Sequence, residues 1–166
     1  MSIKKSSLVT NNDASPLVLN PVSLESGRVR VSHDTIALLT TDIDNTDVIL
    51  LAKIPTAARI LDIRIKNDDL DTGGTPSLTF DVGVYDGETA KDADRYANAK
   101  TTLRSATTTW TTVDERTADL ASQRLWQDAG DTADPGGVYT IAITIDGAGQ
   151  TPAAGDLAFQ ILWTLD

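Results

Sequence analysis

The feature that most constrains the fold of this chain is an alternation of apolar and polar residues that recurs from residue 28 onward. Successive side chains of a β-strand point to opposite faces, so each alternating segment predicts a strand with one buried face. A separate apolar run at 47–54 ends at Pro55 and predicts another strand. Strands with one apolar and one polar face are typical of antiparallel sheets. The apolar positions of the alternating segments are Val29 and Val31; Leu61, Ile63 and Ile65; Phe80, Val82 and Val84; Tyr139, Ile141, Ile143 and Ile145; and Leu157, Phe159, Ile161, Trp163 and Leu165.

Turn-forming residues separate these segments, and two stretches break the alternation. Thr89 and Asp92 have the spacing of a capping box, which predicts a short helix over 89–99. Asp114 is suited to cap a second helix over 115–127 with Ala118, Ala121 and Leu125 inward, and 107–113 reads as a further strand. We therefore predict an all-β fold, an antiparallel two-sheet sandwich of jelly-roll type with two short helical inserts. The separators are Asp71-Thr72-Gly73-Gly74, Asp86-Gly87, Asp134-Pro135-Gly136-Gly137 and Asp146-Gly147.

Residues 1–27 differ from the rest, which leads us to divide the chain into an extended N-terminal arm (1–27) and a β-sandwich domain (28–166). The arm is rich in Ser, Asn, Asp and Pro, and Pro16 and Pro21 favour extended backbone before them. One interpretation is a frayed terminus. The other is an arm that lies on a neighbouring subunit, because several of its residues are too apolar for a solvated tail. The predicted contact residues are Lys4, Lys5, Leu8, Leu17, Val18, Leu19 and Val22.

Charge and composition exclude several classes of function. The chain has 24 acidic and 14 basic side chains, a formal charge of −10, which disfavours nucleic acid and anionic membranes as partners. Cysteine is absent, so disulfides, thiolate metal sites and cysteine nucleophiles are excluded. No apolar run approaches the ~20 residues of a membrane helix, and residues 1–10 do not form a signal peptide. We expect a protein that is made in a cytoplasm and stays soluble.

Catalytic residues are scarce. His33 is the sole histidine, and its neighbours Ser32 and Asp34 do not make a triad, because triads assemble from distant segments. Carboxylates are numerous enough for a paired-carboxylate glycosidase, but such enzymes need aromatic platforms along a cleft. Only Trp110 and Trp126 remain as rings outside the predicted core. We expect no enzymatic activity and no cofactor.

Clusters of acidic residues raise the question of a structural calcium ion, which binds six to eight oxygen ligands. The first candidates are Asp68, Asp69 and Asp71, beside Asn67. None of the clusters has EF-hand spacing. Asp and Asn also occur in turns because they bond to nearby backbone, so calcium is the weaker interpretation. The other two clusters are Asp42, Asp44 and Asp47, and Asp128, Asp131 and Asp134.

Three stretches resemble a family of small virion proteins of tailed phages. They are residues 50–62, with the turn Pro55-Thr56-Ala57-Ala58; residues 80–87, followed by Asp92, Asp94 and Tyr96; and residues 125–165, with Asp134-Pro135, Tyr139 and Ala154-Gly155-Asp156-Leu157.

The resemblance implies a β-sandwich that decorates or cements the capsid surface, without enzyme activity or cofactor. The implied partners are the major capsid protein and two further copies of the chain in a homotrimer. Two alternatives stay open: a neck, tail or fibre-associated subunit, and a carbohydrate-binding sandwich that uses Trp110 or Trp126.

Overall fold

The structure, a computed structural model, describes residues 4–22, 24–25 and 27–165. Positions 1–3, 23 and 26 of the predicted arm lie outside the described residues. The described part contains short helices and eight strands. They are α1 (Ser7–Asn12), β1 (Arg30–Leu38), a 3-10 turn (Thr40–Asp42), β2 (Val48–Pro55), β3 (Arg59–Asn67), β4 (Thr79–Asp86), β5 (Thr89–Lys100), a second 3-10 turn (Thr102–Arg104), β6 (Thr111–Thr112), α2 (Leu125–Asp128), β7 (Val138–Gly147) and β8 (Gly155–Thr164).

The strands form two antiparallel sheets of four strands each. The first sheet has the order β1-β8-β3-β6 and the second the order β2-β7-β4-β5. Strands consecutive in sequence lie in different sheets except at the β4–β5 hairpin, and the last strands return to lie between the first ones. This is the strand order of a jelly roll, so the predicted fold class is confirmed.

The core lies between the two sheets and follows the predicted alternation in the C-terminal half. In β7, Ile141, Ile143 and Ile145 are fully buried. In β8, Leu157 and Ile161 are buried too, and β8 pairs on both sides, with β1 and with β3. Burying apolar area of this kind is the main stabilising contribution to a sandwich, because each sheet covers the apolar face of the other.

Near the start of β3 and β1 the alternation misassigns which residues are buried. The pairing of β3 with β8 shifts between Ile60 and Asp62, so Leu61 is the extra residue of a bulge and is exposed, while Ile60 is buried. Val31 lies opposite Leu162 on the outer face of the first sheet, and both Val29 and Val31 are exposed, at 59% and 60%. These valines are therefore surface residues and not core residues.

The helix predicted over 89–99 is wrong, because this stretch is strand β5. The two-residue turn at Gly87 and Glu88, with φ +62° at Gly87, brings Thr89 opposite Asp86 and starts a hairpin with β4. The register then shifts at three places, and two consecutive residues, Tyr96 and Ala97, are buried. The bulges hide the period of two, and the remaining spacing imitates a helix.

The second helix predicted, over 115–127, is much shorter than expected. Only Leu125–Asp128 is helical, although Leu125 is buried as predicted. Ala118 and Ala121 are exposed, which contradicts their predicted inward position. The reason is that backbone groups of this segment bond to another element: the N–H groups of Leu125 and Trp126 donate to the carbonyls of Ala58 and Thr56 in the β2–β3 turn. An N–H that bonds to another element is not available to the carbonyl four residues earlier, as a continuous helix requires.

Candidate assembly surface

The N-terminal segment, taken here as the described residues 4–22, 24–25 and 27, carries apolar side chains in contact with solvent. Leu19 is 84% exposed, and Leu17, Val18 and Val22 are also exposed. Leu8 is partly buried, whereas Lys4 and Lys5 are exposed. Exposed apolar side chains that cluster on one segment are a common mark of a protein–protein contact. The structure thus places six of the seven predicted contact residues at the surface.

The N-terminal segment is less extended than predicted, because α1 forms within it. Ser6 caps this helix: its hydroxyl accepts from the N–H of Val9. The Asn20 side chain then holds the following loop against the helix, donating to the Leu8 carbonyl at 3.2 Å and accepting from Asn11 at 2.7 Å. The segment is a small folded unit, and its apolar side chains other than Leu8 are exposed.

The β1 strand is exposed on both of its faces over its first half. Arg30 and Asp34 lie opposite Trp163 and Phe159 of β8, on the core-facing side of the sheet. Arg30 and Asp34 are nevertheless exposed. The guanidinium of Arg30 lies over the Trp163 ring at 5.3 Å. Val31 is exposed on the opposite face. Sequence reasoning missed this surface, because the alternation of Val29 and Val31 predicted burial.

His33 is not part of a catalytic arrangement among the described residues. Ser32 and Asp34 lie on the opposite strand face from His33, as neighbours in a strand must. The Ser32 hydroxyl accepts from the Trp163 indole N–H at 3.2 Å, and Nδ1 of His33 lies 2.9 Å from the Phe159 carbonyl. The His33 ring meets Trp110 edge-on, with the ring centres 5.7 Å apart. His33 therefore supports the outer face of the first sheet.

Asp71, the central calcium candidate, is fully buried and serves as a backbone acceptor. Its Oδ2 accepts from the N–H groups of Ser77 at 2.6 Å and Leu78 at 3.0 Å, and its Oδ1 accepts from Thr151 at 2.8 Å. Burial would raise the pKa of Asp71, but these donors and the N–H of Gln150 outweigh it and lower the pKa to about 2. The carboxylate joins the β3–β4 loop to the β7–β8 loop.

Asp68 and Asp69 bond to backbone as well. Oδ2 of Asp68 accepts from the N–H of Asp156 at 2.9 Å, and Oδ1 of Asp69 accepts from the N–H of Asp71 at 3.1 Å. Within the described residues, no group of three or more His, Asp or Glu side chains is placed to hold a metal ion. The geometry of this cluster is that of a loop held by hydrogen bonds.

A buried network of charges, which the sequence did not indicate, fixes the segment before α2 to the sandwich. Asp128 accepts from Arg95 at 2.9 Å, from Arg116 at 3.1 Å and from the Tyr96 hydroxyl at 3.0 Å. Arg116 also pairs with Asp114 at 2.7 Å. Burial, then the Asp128 charge, raises the pKa of Tyr96 well above its usual value. Each charge is paired, as burial requires, so the network is structural.

No helix in the described part of the chain has the length and apolar character needed to cross a bilayer.

Comparison with known proteins identifies two chains with a similar fold, both from phage capsids. One belongs to the cyanophage Pam1 capsid asymmetric unit: 24% identity, 84% of this chain and 86% of that chain covered, and a TM-score of 0.62. The other belongs to the capsid of Ralstonia phage GP4: 20% identity, the same coverage and the same TM-score. No protein-family model matches the chain, and no curated protein matches it in sequence. The shared feature is the jelly-roll fold.

Proposed function

We propose that this chain is a non-enzymatic structural protein of a tailed-phage virion that binds and stabilises the major capsid protein shell as a decoration or cement protein. The observation that carries the proposal is the outward-facing apolar surface of the N-terminal segment, with Leu19 84% exposed. The similarity of the fold to chains of two phage capsids supports the same role. The resemblance of residues 50–62 and 80–87 to small virion proteins agrees with it.

The sandwich and the N-terminal segment have complementary properties that suit a protein that binds a capsid shell. The sandwich is rigid, because its core is packed between two sheets and its charges are paired. The N-terminal segment supplies exposed apolar side chains together with Lys4 and with Lys5, which pairs with Asp13 at 2.6 Å. A rigid body with an exposed apolar segment is suited to bridging neighbouring shell subunits. In this proposal three copies form a homotrimer around a local three-fold axis on the capsid surface.

A binding assay with purified heads that lack the protein tests the proposal. The triple variant Leu17→Ser, Val18→Ser, Leu19→Ser should bind heads at least about tenfold more weakly, because it removes the central apolar contacts. The matched control is Leu39→Ser with Val138→Ser, two exposed apolar residues of the sandwich. The control should bind as the parent does. Equal binding by the triple variant, with an unchanged circular dichroism spectrum, would show that the segment does not make the contact.

The same preparation distinguishes the capsid surface from the neck or tail. A decoration protein is present in hundreds of copies per particle, whereas a neck or tail subunit is present in a handful. Quantitative mass spectrometry of purified virions gives this number. Binding to isolated tails, with none to heads, would overturn the decoration role and support a tail subunit.

Trp110 favours a second candidate function, carbohydrate binding. Its ring is 36% exposed, whereas Trp126 packs against the core. A shallow cavity of about 210 Å³ lies beside β3 and β8, lined by residues that include Lys66, Asp68 and Thr107 but not Trp110. An exposed indole can stack on a sugar ring. Glycan-array binding by the parent that Trp110→Ala abolishes and Trp126→Ala retains would support this role.

A further inference from the structure

The edge strand β1 is long, regular and open. All nine of its residues pair with β8 in one unbroken register. In the part of the chain that the structure describes, β1 is the end strand of its sheet, so one side of its backbone faces away from β8. Such an edge is a template for pairing with another strand unless it is protected.

The other three sheet edges are protected in ways that β1 is not. At the far edge of the same sheet, β6 is only two residues long. In the second sheet, β2 contains a bulge between Leu50 and Ala52 and ends at Pro55. At the opposite edge, β5 shifts register against β4 at three places and carries five charged residues along 12 positions. Short strands, bulges and prolines all discourage strand addition, and β1 has none of these features, so β1 is the edge left available.

The β1 sequence is complementary to itself. Arg30 and Asp34 are four residues apart on the same face, and both are exposed. If two β1 strands pair antiparallel about a two-fold axis at Ser32, each Arg30 lies directly opposite Asp34 of the other copy. Opposite charges at such positions stabilise a strand pair, and like charges destabilise it. Centring the pair one residue later, at His33, would place two histidines opposite each other and leave Arg30 opposite Ile36.

We propose that β1 binds β1 of a second copy of this chain, in the antiparallel register centred on Ser32. The two four-stranded sheets then join into one sheet of eight strands through an isologous interface. The pairing also covers part of Val31, which is 60% exposed in the single chain. If the proposed homotrimer is correct, this two-fold contact joins neighbouring trimers; the pairing itself does not depend on binding to a capsid.

Disulfide trapping tests the register, because the chain has no cysteine of its own. Residues directly opposite in an antiparallel pair have Cα atoms about 4.5–5.5 Å apart, within the range that a disulfide spans. Ser32→Cys should therefore form a covalent dimer under mild oxidation. Ala37→Cys is the control: in this register the two copies of residue 37 are ten positions apart along the strands, about 33 Å. Equal cross-linking of the two variants, or none of Ser32→Cys, would overturn the proposal.

Charge reversal gives a second test that needs no cross-link. Arg30→Asp places two carboxylates opposite each other twice, so association measured by sedimentation equilibrium should weaken by about tenfold. The double variant Arg30→Asp, Asp34→Arg restores opposite charges and should recover the parent's association. Failure of the double variant to recover, with its fold intact by circular dichroism, would contradict the pairing. The serine triple variant of residues 17–19 should leave Ser32→Cys cross-linking unchanged, so the two proposals can fail separately.

Discussion

The guanidinium of Arg116 donates to the carboxylate of Asp128 across 3.1 Å, and both side chains are almost completely buried, at 2% and 0% exposed. Arg95 donates to the other carboxylate oxygen of Asp128. The Asp128 carboxylate thus contacts two arginines, of which Arg116 also pairs with Asp114 at 2.7 Å, and it holds β5, the long connection after β6, and α2 together. Because these charges have little access to water, loss of Asp128 removes the ion-pair partner of Arg95 and one of the two carboxylates that pair with Arg116.

Asp128→Asn should destabilise the protein by about 3 kcal/mol, because it removes the counter-ion of the partly buried Arg95 and one of the two carboxylates that pair with the buried Arg116. Urea unfolding followed by far-UV circular dichroism measures the change. Asp44→Asn is the control, since Asp44 is exposed and lies in the loop before β2, outside this network. The control should change the free energy of unfolding by less than about 0.5 kcal/mol. A similar loss in both variants would contradict the structural role of the network.

Asp71→Asn should destabilise the protein by about 1–3 kcal/mol at neutral pH, because an amide cannot accept from all of the backbone donors that Asp71 satisfies. The pKa of Asp71 is lowered from 3.8 to about 2, so its contribution is complete above pH 4 and is lost as the pH falls through 2. The difference in free energy of unfolding between parent and variant should therefore shrink between pH 4 and pH 2. A difference that stays constant over this range would show that the Asp71 charge does not stabilise the two loops.

The proximity of β5 to Gly83 predicts that Gly83→Ala is poorly tolerated. A Cβ at residue 83 would lie 2.1 Å from the Asp92 carbonyl oxygen and 2.3 Å from the Ala93 carbonyl carbon. These are backbone atoms of the bulged partner strand, so relief requires the hairpin to move, and we expect a loss of at least about 2 kcal/mol. Gly74→Ala is the matched control, because a Cβ there has no atom within 4 Å. Thermal unfolding of both variants gives the comparison.

Asn20→Ala should loosen the N-terminal segment without affecting the sandwich. It removes the side-chain bonds to the Leu8 carbonyl and to Asn11, Asn12 and Glu25, which close the loop after α1. Hydrogen exchange should become faster at the N–H groups of Thr10 and Asp13, which donate within α1. Protection in β7 and β8 should not change. Faster exchange in those strands would mean that the segment and the sandwich unfold together.

Much of the sandwich could be predicted from local pattern, and particular failures show where pattern is insufficient. The alternation of Ile141, Ile143 and Ile145 predicted β7 correctly, because a strand buried on one face keeps a strict period of two. The bulges of β5 and of Leu61 add residues to one strand only, so the period is lost and the prediction fails. A bulge depends on the partner strand, which no local window contains.

Part of the candidate assembly surface could be predicted from the sequence, and part could not. The apolar character of Leu17, Val18 and Leu19 was visible in the sequence, and the structure shows that all three side chains are exposed. The position of β1 at the edge of its sheet was not visible, because the residues Arg30–Leu38 do not indicate that β1 pairs with another strand, β8, on only one side. The role of Asp71 was equally hidden, because its donors Leu78 and Thr151 come from two separate loops.

By itself, the sequence determined the all-β class, the positions of most strands, the acidic charge and the absence of thiol chemistry, because these follow from composition and from neighbours along the chain. Only the tertiary structure decided the jelly-roll order, the pairing of Arg116 with Asp128 and the exposure of Val31. These depend on which distant strand lies beside each residue. Hydrogen bonding between strands and burial between sheets depend on residues distant in sequence. The same local alternation therefore occurs in a buried central strand and in an exposed edge strand.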